Sequence, residues 1–151
     1  MILDERTEFC DATALNTGAA GSYLLGDQID LTKTTSDPGN GEPVYLVITV
    51  DTGITVASST GTVSFTLASD ATASIAVDGS ATAHFTTASF ATSTTAIAAG
   101  TVLACVPLPF GTYERYLGIF QTTGTTAINA GKINAFLTHD PAKWLATPDG
   151  L

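Results

Sequence analysis

Charged residues are scarce in this sequence: 13% of its 151 residues are Asp, Glu, Lys or Arg, against about 25% in an average soluble domain. Thr, Ser, Ala and Gly take the places that charged residues usually hold. Because surface charge keeps small proteins from associating, this composition predicts that much of the surface is covered by another copy of the chain or by a larger assembly.

Basic residues are rarer still, with five Lys and Arg against 14 Asp and Glu. The resulting net charge of −9 repels phosphate groups. The sequence also lacks a basic patch that would release counterions from a nucleic acid on binding. We therefore expect no nucleic-acid partner.

Long apolar runs are absent. The longest, such as residues 44–50, end far short of the roughly 20 residues that cross a bilayer, so we expect no membrane partner. The N-terminus reaches Asp4, Glu5 and Arg6 at once and lacks the basic and apolar regions of a signal peptide. We expect synthesis in the cytoplasm.

Cysteine and histidine occur only twice each. Cys10 and Cys105 lie far apart among apolar or small neighbours, which predicts two buried thiols and no disulfide. His84 and His139 have no Cys or His companion at zinc-binding spacing. No phosphate loop, nucleophile elbow or zinc-protease helix is present. The sequence thus predicts no enzyme activity, catalytic residue, metal, cofactor or small-molecule substrate.

Two acidic segments allow a chemical interpretation. Asp4, Glu5, Glu8 and Asp11 crowd the N-terminus, in what looks like an exposed arm. Solvated surface charge is favoured there over an acid–base pair, because no aromatic wall accompanies them. Residues 37–42 place several oxygen ligands in a tight loop. Their spacing is not that of an EF-hand, and a turn between strands is favoured over a calcium site.

Alternation of apolar and polar residues with period two is the main structural signal. Val63, Phe65 and Leu67 share one face of residues 62–68, as an antiparallel strand requires. Residues 44–50 are apolar on both faces, which predicts a central strand. Further strands are predicted in five segments bounded by turn residues, at 24–31, 83–90, 101–106, 115–122 and 132–138.

Turn residues and the lack of helical periodicity complete the fold prediction. Reversals are predicted from Gly, Pro, Asp and Asn at residues 37–41, 51–53, 78–79, 109–111 and 130–131. Dense Thr disfavours helix. The sequence predicts a single all-β domain over residues 1–151, a two-sheet antiparallel sandwich of the immunoglobulin-like or jelly-roll kind with almost no helix.

Aromatic residues allow an alternative function. Trp144 and the four tyrosines, Tyr23, Tyr45, Tyr113 and Tyr116, could stack on sugar rings in a carbohydrate-binding or tail-fibre-like adhesion module. Aromatic residues in strands more often lie in the core or in a subunit interface. The adhesion module would need a row of exposed aromatic rings.

Arg115 is one of two arginines and begins an apolar strand in the segment Glu114-Arg115-Tyr116-Leu117. A guanidinium in this position needs a carboxylate partner. Arginine is also favoured at interfaces, because it packs as well as pairs. We expect an ion pair either within the subunit or with a neighbouring one.

Four segments resemble, in order and spacing, the capsid cement proteins of Bordetella-type short-tailed bacteriophages. They are MILD with Phe9 and Asp11-Ala12, then GEPVYLV at 41–47, VPLP at 106–109 leading to ERYL at 114–117, and AGKINAFL at 130–137. The resemblance covers most of the chain. It rests on strand character alone over residues 54–100 and includes nothing of residues 142–151.

This resemblance implies a jelly-roll subunit that forms a homotrimer on the outer surface of the virion and clamps neighbouring major capsid proteins after the head expands. We expect residues 1–9 to form a contact arm, with Ile2 and Leu3 starting the first strand as an equal alternative, and residues 142–151 to form a C-terminal tail. The predicted contacts to the capsid or to other subunits are Met1, Ile2, Leu3, Asp4, Arg6, Phe9, Arg115, Tyr116 and Trp144.

Overall fold

The computed structural model describes residues 4–56, 60–91 and 97–141. A 3-10 turn at Glu5–Thr7 precedes the first strand. The strands within the described ranges are β1 (Glu8–Ala14), β2 (Gly21–Ser36), β3 (Tyr45–Val56), β4 (Thr62–Asp70), β5 (Thr82–Thr86), β6 (Phe90–Ala91), β7 (Val102–Pro107), β8 (Tyr113–Gly124) and β9 (Ile128–Thr138). No helix in these ranges has the length and apolar character needed to cross a membrane.

The strands form two antiparallel sheets. One has four strands in the order β1-β9-β3-β7, and the other has the order β2-β8-β4-β5, with β6 also pairing with β4. Apart from the short β6, the chain changes sheet after every strand except β4. This strand order is that of a jelly roll, in which two Greek keys fold over one another. The predicted two-sheet sandwich is confirmed, and its topology is the jelly roll.

A single core fills the space between the two sheets. Leu46 and Ile48 of β3 face Phe65 and Leu67 of β4, and all four side chains have no exposed surface. The predicted alternation in residues 62–68 is confirmed. β3 lies between β9 and β7, as its two apolar faces predicted, and Val47 on its outer face is also buried.

β1 differs most from the sequence-based expectation. Glu8 and Asp11 suggested an exposed arm, but both residues lie in a strand that pairs with β9 from Glu8 to Ala14. Cys10 on this strand is buried, and burial raises its thiol pKa to about 12. Cys105 is only partly buried, so the prediction of a buried thiol is correct for Cys10 alone. Both thiols are unpaired.

Two predicted turns are wrong because their residues form irregularities inside long strands. Residues 51–53 lie within β3 and residues 130–131 within β9, where the pairing of these two strands shifts register. Gly131 is required at this point, since a Cβ there would lie 3.0 Å from the Ile54 Cα. The reversals at 37–41, 78–79 and 109–111 are confirmed. The predicted strand at 83–90 is divided into β5 and β6.

β2 forms one edge of the five-stranded sheet and is irregular along its length. Its register against β8 shifts between Leu25 and Ile29 and again between Asp30 and Thr35. Gly26 and Thr32 within these shifts have φ angles of +59° and +63°. The Asp30 carboxylate accepts the Thr32 N–H at 2.7 Å, which fixes the second irregularity.

The segment between β4 and β5, residues 71–81, folds over the outer face of the five-stranded sheet. Ile75 is 3% exposed and lies against Gly118 of β8, where a Cβ would come within 2.9 Å of the Ile75 Cδ1. The Ile75 N–H donates to the Gln28 Oε1 at 2.9 Å. Ile75 forms a small second core with Ala68 and Phe120. This core holds the 71–81 segment against the sheet.

Candidate interaction surfaces

Phe110 is 80% exposed, the most of any large hydrophobic side chain in the described ranges. It lies at the tip of the loop between β7 and β8, residues 108–112, which we call the Phe110 loop. An apolar groove of about 320 Å³ runs beside it, lined by Pro43, Val44, Pro107 and Pro109 among others, and no charged side chain is among its lining residues. Because apolar surface adjoins the exposed ring, the Phe110 loop is a candidate interaction site.

The Phe110 loop is held by contacts on both sides. The Leu108 N–H donates to the Val44 carbonyl oxygen at 2.8 Å, and the Tyr113 hydroxyl donates to the Pro109 carbonyl oxygen at 2.7 Å. A Cβ at Gly39 would lie 2.8 Å from the Leu108 carbonyl oxygen, so the turn at 37–41 packs directly against this loop. The Phe110 side chain therefore projects from a fixed backbone.

A buried polar cluster supports the base of the Phe110 loop. The His84 ring stacks on the Tyr113 ring with centroids 3.8 Å apart, and the His84 Nε2 lies 2.7 Å from the Ser69 Oγ. The Ser69 Oγ also accepts the Glu114 N–H at 3.0 Å. Ser69 has no exposed surface, whereas His84 is partly exposed.

Burial sets the ionisation of this cluster. It lowers the pKa of His84, an effect that the nearby Glu114 carboxylate partly opposes. It also raises the pKa of Tyr113 to about 12. Both shifts favour the neutral forms, which keep the stacked rings and the hydrogen bond to Pro109 in place.

We expect acidification to weaken the fold through His84. Since the folded protein favours the neutral imidazole, the stabilising contribution is complete above the ordinary His pKa of 6.5 and is lost as the pH falls below it. Between pH 8 and pH 5, the melting temperature should fall further for the wild type than for His84→Gln. Equal losses in the two proteins would contradict this role of His84.

An apolar depression of about 140 Å³ lies on the outer face of the five-stranded sheet. We call it the alanine depression, because Ala68, Ala81 and Ala83 line it together with Val77, Thr66 and Phe120. No charged side chain is among the residues that line it. The 71–81 segment forms one wall, held by the Gln28 contact to Ile75.

Hydroxyl groups beside the alanine depression pair with one another across the strands. Ser22 of β2 hydrogen-bonds to Thr122 of β8 at 2.9 Å, and Thr66 of β4 to Thr86 of β5 at 3.0 Å. Cross-strand pairs of this type stabilise a sheet. Because these groups already have partners, another protein can cover the face at a small cost in lost hydrogen bonds to water.

The ion pair predicted for Arg115 is present within the chain. Its Nε and Nη2 donate to the two oxygens of Asp30 at 2.9 and 2.8 Å, with side chains 43% and 39% exposed. The hydrogen bond from Arg115 holds the pKa of the Asp30 carboxyl below its usual value. The guanidinium lies 5.1 Å from the centre of the Tyr116 ring. An interface role for Arg115 and Tyr116 stays a prediction.

The other predicted contact residues are distributed unevenly. Asp4 and Arg6 are exposed and belong to the N-terminal turn, where the Asp4 Oδ1 accepts the Arg6 N–H at 3.0 Å. Phe9 differs from the prediction, because its ring is 1% exposed and packs in the sandwich core. Residues 8 and 9 of the predicted arm therefore belong to β1 of the sandwich. Met1, Ile2, Leu3 and Trp144 lie outside the described residues.

Acidic side chains gather beside this turn. Glu5, Glu8, Asp11 and Asp27 line one groove, and burial together with the neighbouring charges of Asp11 and Glu5 raises the pKa of Glu8. In the described ranges, no group of three or more His, Cys, Asp or Glu residues is arranged to hold a metal ion.

The alternative of a sugar-binding row of aromatic rings is not supported by the described tyrosines. None of the four is fully exposed: Tyr113 is completely buried, and Tyr23, Tyr45 and Tyr116 are partly buried. Phe110 and the alanine depression were not singled out from the sequence. The proline-rich segment VPLPFG predicted only a turn there, and residues 81 and 83 are alanines in a region full of small residues.

These features define a jelly-roll domain that is poor in charged residues and presents an exposed aromatic side chain on a hydrogen-bonded loop. The family model Bbp16 matches residues 9–137. The chain belongs to this family, which is a family of Bordetella phage proteins. A comparison with curated proteins found no match.

Proposed function

We propose that this chain is a capsid cement protein, which binds the outside of the expanded phage head as a homotrimer and clamps neighbouring major capsid proteins. The observation that carries the proposal is the combination of phage family membership with a jelly roll of only 13% charged residues. The exposed Phe110 loop and the uncharged alanine depression support it, because both are apolar surfaces suited to be covered.

Cementing requires complementary surface and no chemistry. A protein that binds only the expanded head stabilises that form by mass action, so expansion becomes hard to reverse. Three copies of one contact on a rigid trimer act at high effective concentration, so weak individual contacts give lasting attachment. The net charge of −9, carried outward, would keep finished particles apart.

Binding to purified heads tests the proposal. The protein should sediment with expanded heads in large and saturable copy number, and it should stay in the supernatant with unexpanded shells of the same phage. Expanded heads that carry the protein should withstand a higher temperature than bare ones. Equal binding to both shell forms, or binding to neither, would reject a cement function.

The predicted arm can be tested in the same assay. After removal of residues 1–7 the chain begins at Glu8, the first residue of β1. The sandwich should therefore keep its fold and its subunit number. We expect lower occupancy on expanded heads, because the arm carries the exposed Asp4 and Arg6. The matched control is the double variant Asp51→Ala, Thr52→Ala, which alters exposed positions on β3. Full occupancy after truncation would remove the arm from the capsid contact.

A further inference from the structure

We propose that the C-terminal segment of this chain, residues 142–151, covers the outer face of the four-stranded sheet with the side chain of Trp144. The proposal does not depend on the cement function. Its basis is a set of paired residues on that face, one from each strand in the order β1-β9-β3-β7, which we call the outer row. The outer row consists of Glu8, Phe136, Val47 and Cys105.

The middle of the outer row is buried although it faces away from the core. Val47 and Phe136 are 0% and 1% exposed, and neither belongs to the core between the two sheets, which contains their strand neighbours Leu46 and Leu137. Successive side chains of a strand point to opposite faces, so the five-stranded sheet lies on the wrong side to bury this pair. Neighbours on the same face shield a side chain only from the sides. Another segment must therefore lie over Val47 and Phe136.

Most other segments are unsuited to provide this cover. The 3-10 turn at Glu5–Thr7 adjoins β9 but contains no buried residue. Residues 57–59 follow the end of β3, and residues 92–96 lead to Ile97, which pairs with Ile54. Both points are about 23 Å or more from Val47 along β3. So short a link cannot extend that far and return.

The chain turns toward the outer face as it leaves β9. Thr138 lies on the same side of β9 as Phe136, and its Oγ1 accepts the Asp140 N–H at 3.1 Å. A threonine hydroxyl bonded in this way to the backbone two residues later forms a turn on the side of that hydroxyl. The His139 Nδ1 lies 3.1 Å from the Pro43 carbonyl oxygen. The exit from β9 is thus held beside the start of β3.

Residues 142–151 have the reach and the side chain that the cover needs. Thr138 pairs with Tyr45 and Phe136 with Val47, so the buried pair lies about 7 Å from the exit along the strands. Trp144 follows three positions after Pro141, over which an extended chain spans about 10 Å. An aromatic side chain of this size buries about 150 to 250 Å², enough to lie across two neighbouring strands.

The short tether selects the chain's own segment over that of a second copy. A group held so close to its site acts at a high effective concentration, which a separate molecule does not reach in dilute solution. Trp144 is then a structural side chain of its own subunit and not a contact to the capsid. The middle of the four-stranded sheet is closed to partners.

Fluorescence tests the proposal directly, because Trp144 is the sole tryptophan. The intact protein should emit at a shorter wavelength than free tryptophan and be quenched slowly by acrylamide, equally at every protein concentration. Phe136→Ala removes a ring outside the sandwich core and should shift the emission to longer wavelength. Phe110→Ala, at the other apolar surface beside Pro43, is the matched control and should leave it unchanged.

Three fluorescence results would overturn the proposal. Emission of an exposed indole in the wild type would show that Trp144 covers nothing. A shift caused by Phe110→Ala and not by Phe136→Ala would place the segment at the Phe110 loop. Emission that changes as the protein is diluted would show that the indole is supplied by another copy.

The Cys105 thiol gives a second measurement at the edge of the outer row. Cys105 is partly exposed, whereas Cys10 is buried and has its pKa raised to about 12, so a thiol reagent should reach Cys105 first. Removing residues 142–151 should speed this reaction about tenfold, because it no longer waits for a local opening. Removing residues 1–3 is the control and should not change the rate.

The two truncations decide between the ends of the chain. Faster labelling of Cys105 after loss of residues 1–3 alone would assign the cover to the N-terminus and overturn the proposal. Equal rates in the wild type and both truncated proteins would also overturn it. None of these outcomes bears on binding to expanded heads, so the cement function stands or fails separately.

Discussion

Replacing Gly26 with alanine should lower the free energy of unfolding by about 2 to 5 kcal/mol, the sum of a left-handed backbone and an overpacked contact. Gly26 has a φ of +59°, and a Cβ there would collide with the Phe9 carbonyl oxygen and lie 2.9 Å from the Cys10 Sγ. Urea unfolding followed by circular dichroism measures the loss.

Gly79→Ala is the control for this experiment. Gly79 has a φ of +95°, but a Cβ there would meet no atom within 4 Å. Its substitution strains the backbone without a collision and should cost about 1 to 2 kcal/mol. Equal losses in the two variants would show that β1 and β2 do not approach as closely at Gly26 as the structure has them.

Replacing Tyr113 with alanine should cost about 3 to 5 kcal/mol, because a completely buried aromatic ring is removed. The loss includes the stacking on His84 and the hydrogen bond to the Pro109 carbonyl oxygen. Tyr113→Phe keeps the ring and the stacking, so it should cost only about 1 kcal/mol, the typical net worth of one hydrogen bond.

The pair of Tyr113 variants also separates stability from loop support. Tyr113→Phe should leave the sandwich folded while the Phe110 loop loses its hydrogen bond at Pro109. We expect faster amide hydrogen exchange at residues 110–112 in this variant, with unchanged protection in β4 and β8. Unchanged exchange in the loop would mean that the Leu108 and Gly39 contacts hold it without the tyrosine.

The sequence predicted what depends on local alternation and missed what depends on distant pairing. Val63, Phe65 and Leu67 reveal β4 because its two faces differ. A first strand near the N-terminus was only one of two equal alternatives, because Glu8 and Asp11 interrupt the apolar residues of β1. Its strand form comes from pairing with β9 more than a hundred residues later. The residues at 51–53 and 130–131 form irregularities within strands and not turns. Whether such residues reverse the chain depends on the pairing of β3 with β9, which the local sequence does not show.

The same limit applies to the candidate surfaces. Arg115 was expected to pair with a carboxylate, but Asp30 stands 85 positions away and nothing local distinguishes it from 13 other acids. Phe110 resembles any aromatic residue in a turn. Its 80% exposure results from contacts at Gly39 and Tyr113 that direct the loop away from the core. The alanine depression exists only because residues 71–81 fold over the sheet and form one of its walls.

The irregularity of the edge strand β2 affects how the protein associates at high concentration. Open sheet edges are templates on which further chains can add as strands, the first step toward fibrils. At 16 residues β2 is long enough for this, but its bends at Gly26 and Thr32 and the charges of Asp27, Asp30 and Lys33 interrupt any straight row of free N–H and C=O groups. The chains can thus reach a high concentration without polymerising edge to edge.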